Sequence, residues 1–224
     1  VKRFDLMNNL AQHKTRLALA IATLLTFGTA IPAHAHHAMG GKPVSNGFEG
    51  FVSGIAHPLI GVDHLAMIIA IGVLSALLRP GLLVAVTFVV AALFGTGLHL
   101  IGLSLPLSEP LVSLSVLAAG ILITLRRSLH TGIVLGLSAV GGLLHGYAYG
   151  ESIFGAQTGS LIAYLAGFTV IQLAIAGVAF AIAKKIRENS KEPALCLRPT
   201  GFIVAGAGCA LLATQLVAMA FPMP

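Results

Sequence analysis

Residues 51–78 read FVSGIAHPLIGVDHLAMIIAIGVLSALL. The stretch is apolar enough for a lipid-facing helix, yet it carries His57, Asp63 and His64. If those polar groups lay outside the bilayer, Leu65 to Leu78 would have to span it alone before Arg79. Fourteen residues at about 1.5 Å each give about 21 Å, against a hydrocarbon core of about 30 Å. Asp63 and His64 therefore enter the membrane. Charged groups at that depth are costly, and they mark function by default. His57 and His64 are seven residues apart, nearly one face of a helix, although Pro58 and Gly61 can open the backbone between them. Met67 follows on the same side. Imidazole, carboxylate and thioether together suit a late first-row divalent metal ion. Asp63 has a second reading, as the group that orients an imidazole.

The rest of the chain agrees with a membrane setting. Of its 224 residues 57% are hydrophobic and only 9% charged, with mean hydropathy +0.96. A soluble domain carries about 25% charged residues, so lipid is the solvent for most of this chain. The net charge of +6 does not indicate nucleic acid, because the basic residues fall in short clusters between apolar runs, as membrane orientation requires. No GxxxxGK[ST] string is present, so ATP is not bound through a P-loop. Cys196 and Cys209 are too few for a disulfide framework or a cysteine metal site.

Leu17 to Ile31 is a short apolar run after Lys14 and Arg16, with Ala33-His34-Ala35 at its exit. This predicts a secretory signal over residues 1–35, cleaved after Ala35. Six apolar segments follow, near 50–78, 82–103, 110–125, 131–149, 160–183 and 200–220. The expected fold is all-α: one domain, residues 36–224, forming a bundle of about six transmembrane helices. Arg79, the pair Arg126 and Arg127, and the cluster from Lys184 to Arg198 follow segments one, three and five. Loops after segments two and four carry no Lys or Arg. The positive-inside rule then puts the mature N-terminus outside the bacterial inner membrane, as a cleaved signal also requires, and six spans put the C-terminus outside as well.

Segment four carries Gly132, Gly136, Gly142, Gly146 and Gly150, three overlapping GxxxG pairs that predict a central, closely packed helix. It ends in His145-Gly146-Tyr147-Ala148-Tyr149-Gly150-Glu151, a histidine followed six residues later by a carboxylate, as in His57 and Asp63. Counted along straight helices from Arg79 and Arg127, His57, His64, His99 and His145 lie about 33, 22, 30 and 27 Å out. All four fall in the outer half of the membrane, where one site can be built from several helices. The repeated motif also hints at inverted halves, segments one to three and four to six. For His99, beside Gly95 and Gly97, a structural histidine is as compatible as a ligand. Met67 can equally be core packing, Glu151 a loop carboxylate, and Tyr147 and Tyr149 interface anchors. After cleavage the chain would begin His36-His37, where a free amine and two imidazoles can capture metal.

With these residues in view, the chain resembles the HupE/UreJ family of nickel/cobalt permeases. The likeness is carried by His36 to Gly72, with Gly47-Phe48-Glu49-Gly50 and above all His57-Pro58-x-x-Gly61-x-Asp63-His64-x-x-Met67, and by His145-Gly146-x-Ala148-x-Gly150-Glu151. It extends over the whole mature chain. The resemblance implies secondary transport of nickel or cobalt, with His57, Asp63 and His64 on the metal pathway and His145 and Glu151 as their partners. His36 matches the family's N-terminal histidine. Copper and zinc stay open as cargo, and a homo-oligomer is compatible with the sequence. The expected function is import of a divalent ion, not enzymatic catalysis. Two alternatives stand beside it: an intramembrane zinc-dependent hydrolase, and a membrane protein that hands metal to a partner.

Overall fold

The computed structural model describes residues 44–79, 81–125 and 130–221. The expected signal, His36, His37, Arg126 and Arg127 lie outside the described residues. Among those described, every regular element is an α-helix: α1 Gly47–Ile60, α2 Val62–Leu77, α3 Leu82–Leu100, α4 Ser108–Thr124, α5 Thr131–Glu151, α6 Thr158–Asn189 and α7 Pro193–Ala220. Helices α3, α5, α6 and α7 are each long and apolar enough to cross a membrane. The pair α1–α2 meets the same standard together, and α4, of 17 residues, is shorter. Large apolar side chains such as Leu82, Phe94, Ile133, Ile162, Val178 and Phe202 point outward, as they do where the solvent is lipid.

The first apolar segment is not one helix. It bends by 80° between α1 and α2, so the depth expected for His57 along a straight rod does not hold. Local chemistry explains the break. Pro58 has no N–H to give and Gly61 is extended (φ −71°, ψ 106°). The Gly61 N–H closes α1 on the His57 carbonyl at 3.0 Å, and the Gly61 carbonyl opens α2 by accepting from Leu65 at 2.9 Å. A new helix start leaves N–H groups without intrahelical partners, and inside a membrane each must be met. Asp63 meets one, accepting from the His64 N–H at 2.8 Å, and its charge suits the positive end of the α2 dipole. The N-terminal end of α1 is capped by a reciprocal arrangement. Asn46 accepts from the Glu49 N–H at 3.0 Å, and the Glu49 carboxylate accepts from the Ser45 N–H at 2.9 Å.

Helix α2 is the centre of the bundle, touching each of the other six helices. Its residues from Met67 to Ala76 are buried almost without interruption, as expected of a helix apolar all round. The expectation that the glycine-rich helix α5 is central is therefore corrected. Three of its glycines serve α3: a Cβ on Gly142 or Gly146 would strike the α3 backbone at Phe88 or Ala92, and one on Gly150 would lie 2.6 Å from the His99 Cβ. Gly136 has open space, and Gly132 faces only its own His130 ring.

The close approaches also give directions. Gly142, Gly146 and Gly150 meet Phe88, Ala92 and Thr96 in rising order, so α5 and α3 are parallel. Gly50 and Gly54 meet Ser160 and Tyr164 of α6 in the same sense. Gly120 and Gly208 meet Ala205 and Leu117, so α4 and α7 are antiparallel. Exchanging the two halves of the chain carries the α1·α6 pairing onto α5·α3 and α4·α7 onto itself.

Candidate metal site

The break at Gly61 puts His57 on one helix and His64 on another, and α5 brings His145 to both. The imidazoles of His64 and His145 meet with Nδ1 atoms 2.7 Å apart. The His57 ring centre is 5.3 Å from that of His64. All three rings are buried, His145 completely. The Tyr149 ring lies across them, 5.0 Å from His57 and 4.3 Å from His64 between centres. Asp63 Oδ1 is 3.9 Å from His64 Nδ1, an electrostatic neighbour beyond hydrogen-bond range. Gly61 leaves the room this needs: a Cβ there would lie 2.6 Å from His64 Cδ2 and 3.1 Å from Asp63 Oδ1.

Hydrogen-bond partners assign the tautomers. The Ser115 hydroxyl donates to the Val112 carbonyl at 2.7 Å and lies 3.1 Å from His145 Nε2. His145 therefore carries its proton on Nε2 and accepts at Nδ1, and His64 donates to it from Nδ1. His57 is held by a hydroxyl network. The hydroxyls of Ser152 and Tyr164 lie 2.9 and 3.2 Å from His57 Nδ1, 3.0 Å from each other, and 3.0 and 3.1 Å from the Tyr149 carbonyl. In His64 the lone pair is then on Nε2. A histidine whose Nδ1–H is held by a neighbour is oriented and made more basic at Nε2, the usual state of a metal-binding imidazole.

The other expected residues are placed as follows. Met67 is fully buried in the apolar cluster around α2, its methyl packed at Gly141. Glu151 is exposed at the end of α5, one residue before Ser152, whose hydroxyl is 2.9 Å from His57 Nδ1. His99 packs on Tyr147 and Phe154, with ring centres 4.6 and 5.8 Å away. Tyr147 is more than an interface anchor: its hydroxyl donates to the Leu103 carbonyl at 2.8 Å and accepts from the Leu105 N–H at 2.9 Å, pinning the α3–α4 loop. Among the described residues no three His, Cys, Asp or Glu side chains converge on one point as a closed metal cage does. The arrangement is two oriented imidazoles beside a carboxylate.

Sequence reasoning did not find Ser115, Ser152, Tyr149 or Tyr164 as partners of these histidines. Tyr164 left a signal, as a hydroxyl inside an apolar run. The serines left little, because serine is common where membrane helices pack closely.

A sequence profile described as "HupE / UreJ protein" matches residues 23–211. The protein named "Protein HupE" from Rhizobium leguminosarum bv. viciae is 29% identical over 185 residues, covering 80% of this chain and 90% of that relative. No solved structure matches the chain.

Proposed function

Because the chain belongs to the HupE/UreJ family, we propose that it is a permease that imports a divalent transition-metal ion, nickel or cobalt first, across the bacterial inner membrane. The observation that carries the proposal is the helix break at Gly61. There two buried histidines on different helices, each fixed by a hydroxyl or imidazole at Nδ1, share one locus with a carboxylate. His57 and His64 hold the ion through Nε2. Asp63 offsets its charge, and His145, backed by Ser115, orients His64. Met67 closes the site from below with a soft thioether. Glu151 and His99 act on the approach from outside, and His36 and His37 capture metal ahead of them.

In this reading the chain makes six passes, with α4 as the short third span, and the helix directions agree with it. Parallel α1·α6 and α3·α5, with antiparallel α4·α7, are what alternating segments require. The positive clusters after α2, α4 and α6 then face the cytoplasm, and both chain ends face outward.

The test is metal uptake in cells that lack their own nickel and cobalt importers. Cell-associated nickel, cobalt, copper and zinc are counted for the wild type, His57→Ala, His64→Ala and Asp63→Asn at matched expression. Accumulation of one ion, lost in all three variants, is expected. No accumulation, or accumulation untouched by the substitutions, overturns import through this site and favours intramembrane hydrolysis or metal hand-over.

A further inference from the structure

Buried hydroxyls on the helices of this chain commonly return their proton to their own backbone. Ser115 donates to Val112 at 2.7 Å and Ser152 to Tyr149 at 3.0 Å, and Thr96 donates to the Ala92 and Gly146 carbonyls it faces at 3.0 and 2.8 Å. Ser75 and Ser138 do not. Both are wholly buried, and neither hydroxyl makes a hydrogen bond among the described residues. The same holds for both ends of the Gln172 amide, also wholly buried. Unpaired buried polar groups are costly, and in a native structure each needs a reason. These three belong to α2, α5 and α6.

Register places them in one series. Helix α5 runs antiparallel to α2, with His145 at His64 and Gly141 at Met67. Ser138 is seven residues before His145 and so on nearly the same face, about 10 Å further in. Ser75 is eleven residues after His64, again on nearly the same face, about 16 Å in. On α6, Phe168 stacks near Tyr149 with ring centres 5.3 Å apart, and the Ala176 carbonyl lies against Gly72. Gln172 falls between these two contacts, about 6 Å below the histidines. The heights of about 6, 10 and 16 Å form a ladder with steps of roughly 5 Å.

We propose that Gln172, Ser138 and Ser75 line the inner half of the ion's path, passing a partly hydrated divalent cation from the histidines to the C-terminal end of α2. The proposal rests on the transport reading above and assigns the segment that reading leaves open. Amide and hydroxyl oxygens are neutral donors. They replace part of a hydration shell and bind a late transition metal more weakly than imidazole does. A conducting path needs sites of that kind beyond a tighter entry site. The dipole of α2 points the same way, since its negative end lies beyond Ser75. There Arg187 donates to the Ala76 carbonyl at 2.6 Å, which marks where the buried helix meets the charged face.

The test uses purified full-length protein in liposomes holding a nickel-sensing chelator dye, with nickel(II) as the probe. The variants are Ser75→Ala/Ser138→Ala and Gln172→Met, which remove the unpaired groups while changing volume little. Nickel affinity is measured on the same preparations in detergent. The expected result is affinity within about twofold of wild type and initial flux lowered at least tenfold, with thermal midpoints unchanged or raised. Wild-type flux in both variants would show that the groups are packing positions only and overturn the path. Loss of affinity in step with flux would also overturn it, by making these residues part of the histidine site. A wild-type protein that moves neither nickel nor, in the same assay, cobalt, copper or zinc removes the transport reading and this inference with it.

Discussion

Gly146 and Gly136 lie on one helix and each belongs to a GxxxG pair, but the structure gives them opposite fates. A Cβ on Gly146 would overlap the Ala92 carbonyl oxygen and lie 2.5 Å from its carbon and 2.6 Å from the Ala92 Cα. Those are backbone atoms, so no side chain can swing away. Restoring an ordinary carbon–carbon contact needs α3 and α5 to part by about 1 Å. Overpacking of this kind costs about 1–3 kcal/mol, and the gain in helix propensity from Gly to Ala returns at most about 1 kcal/mol. The Thr96 hydroxyl, 3.0 Å from the Ala92 carbonyl and 2.8 Å from that of Gly146, loses one partner as the helices part. His145, the preceding residue, moves with the α5 backbone, and its 2.7 Å contact with His64 lengthens past hydrogen-bond range. The loss of such an orienting partner lowers metal affinity by about 10–100-fold. Gly136→Ala meets nothing within 4 Å, so it gains propensity without a clash. The assay pairs thermal midpoints of the two purified variants with nickel uptake at matched expression. Gly146→Ala should fall by a few °C and lose at least tenfold in uptake. Gly136→Ala should match or exceed wild type in midpoint and keep its uptake. Equal damage from both, or wild-type uptake by Gly146→Ala, would refute the packing argument.

Tyr164→Phe removes a hydroxyl shared by His57, Ser152 and the Tyr149 carbonyl. Nickel affinity in detergent should drop about tenfold or more with the fold kept, and unchanged affinity would separate Tyr164 from the site. Gly61→Ala sets a methyl against the His64 ring and the Asp63 carboxylate, so it should abolish uptake while the expressed protein stays in the membrane; near-normal uptake would show that the bend has slack. Protons compete with metal for imidazole nitrogen. Affinity should therefore be highest at neutral to mildly alkaline pH and fall as the pH is lowered. A nickel titration flat from pH 7.5 to 5 would count against imidazole ligation.

The membrane class of this chain and its helical segments were legible from the sequence, because the cost of burying a bare backbone in lipid leaves long apolar runs with few charges. That His57, Asp63, His64 and His145 are buried polar groups was legible for the same reason, since such groups stand out against apolar surroundings. Periodicity, however, describes one helix at a time. It suggested a break at Pro58 and Gly61 but could not supply the 80° bend, which arises from packing α1 along α6 while α2 fills the bundle centre. It read five glycines of segment four alike, although only those facing the α3 backbone do packing work there. It grouped Glu151 with His145 by spacing, but did not show the exposure that the end of α5 gives this carboxylate. Above all, it could not name the partners that fix each imidazole. Ser115 and His145 are 30 residues apart in the chain, His64 and His145 are 81 apart, and His57 and Tyr164 are 107 apart. Contacts between helices depend on rotation and register, which the sequence of neither helix contains alone.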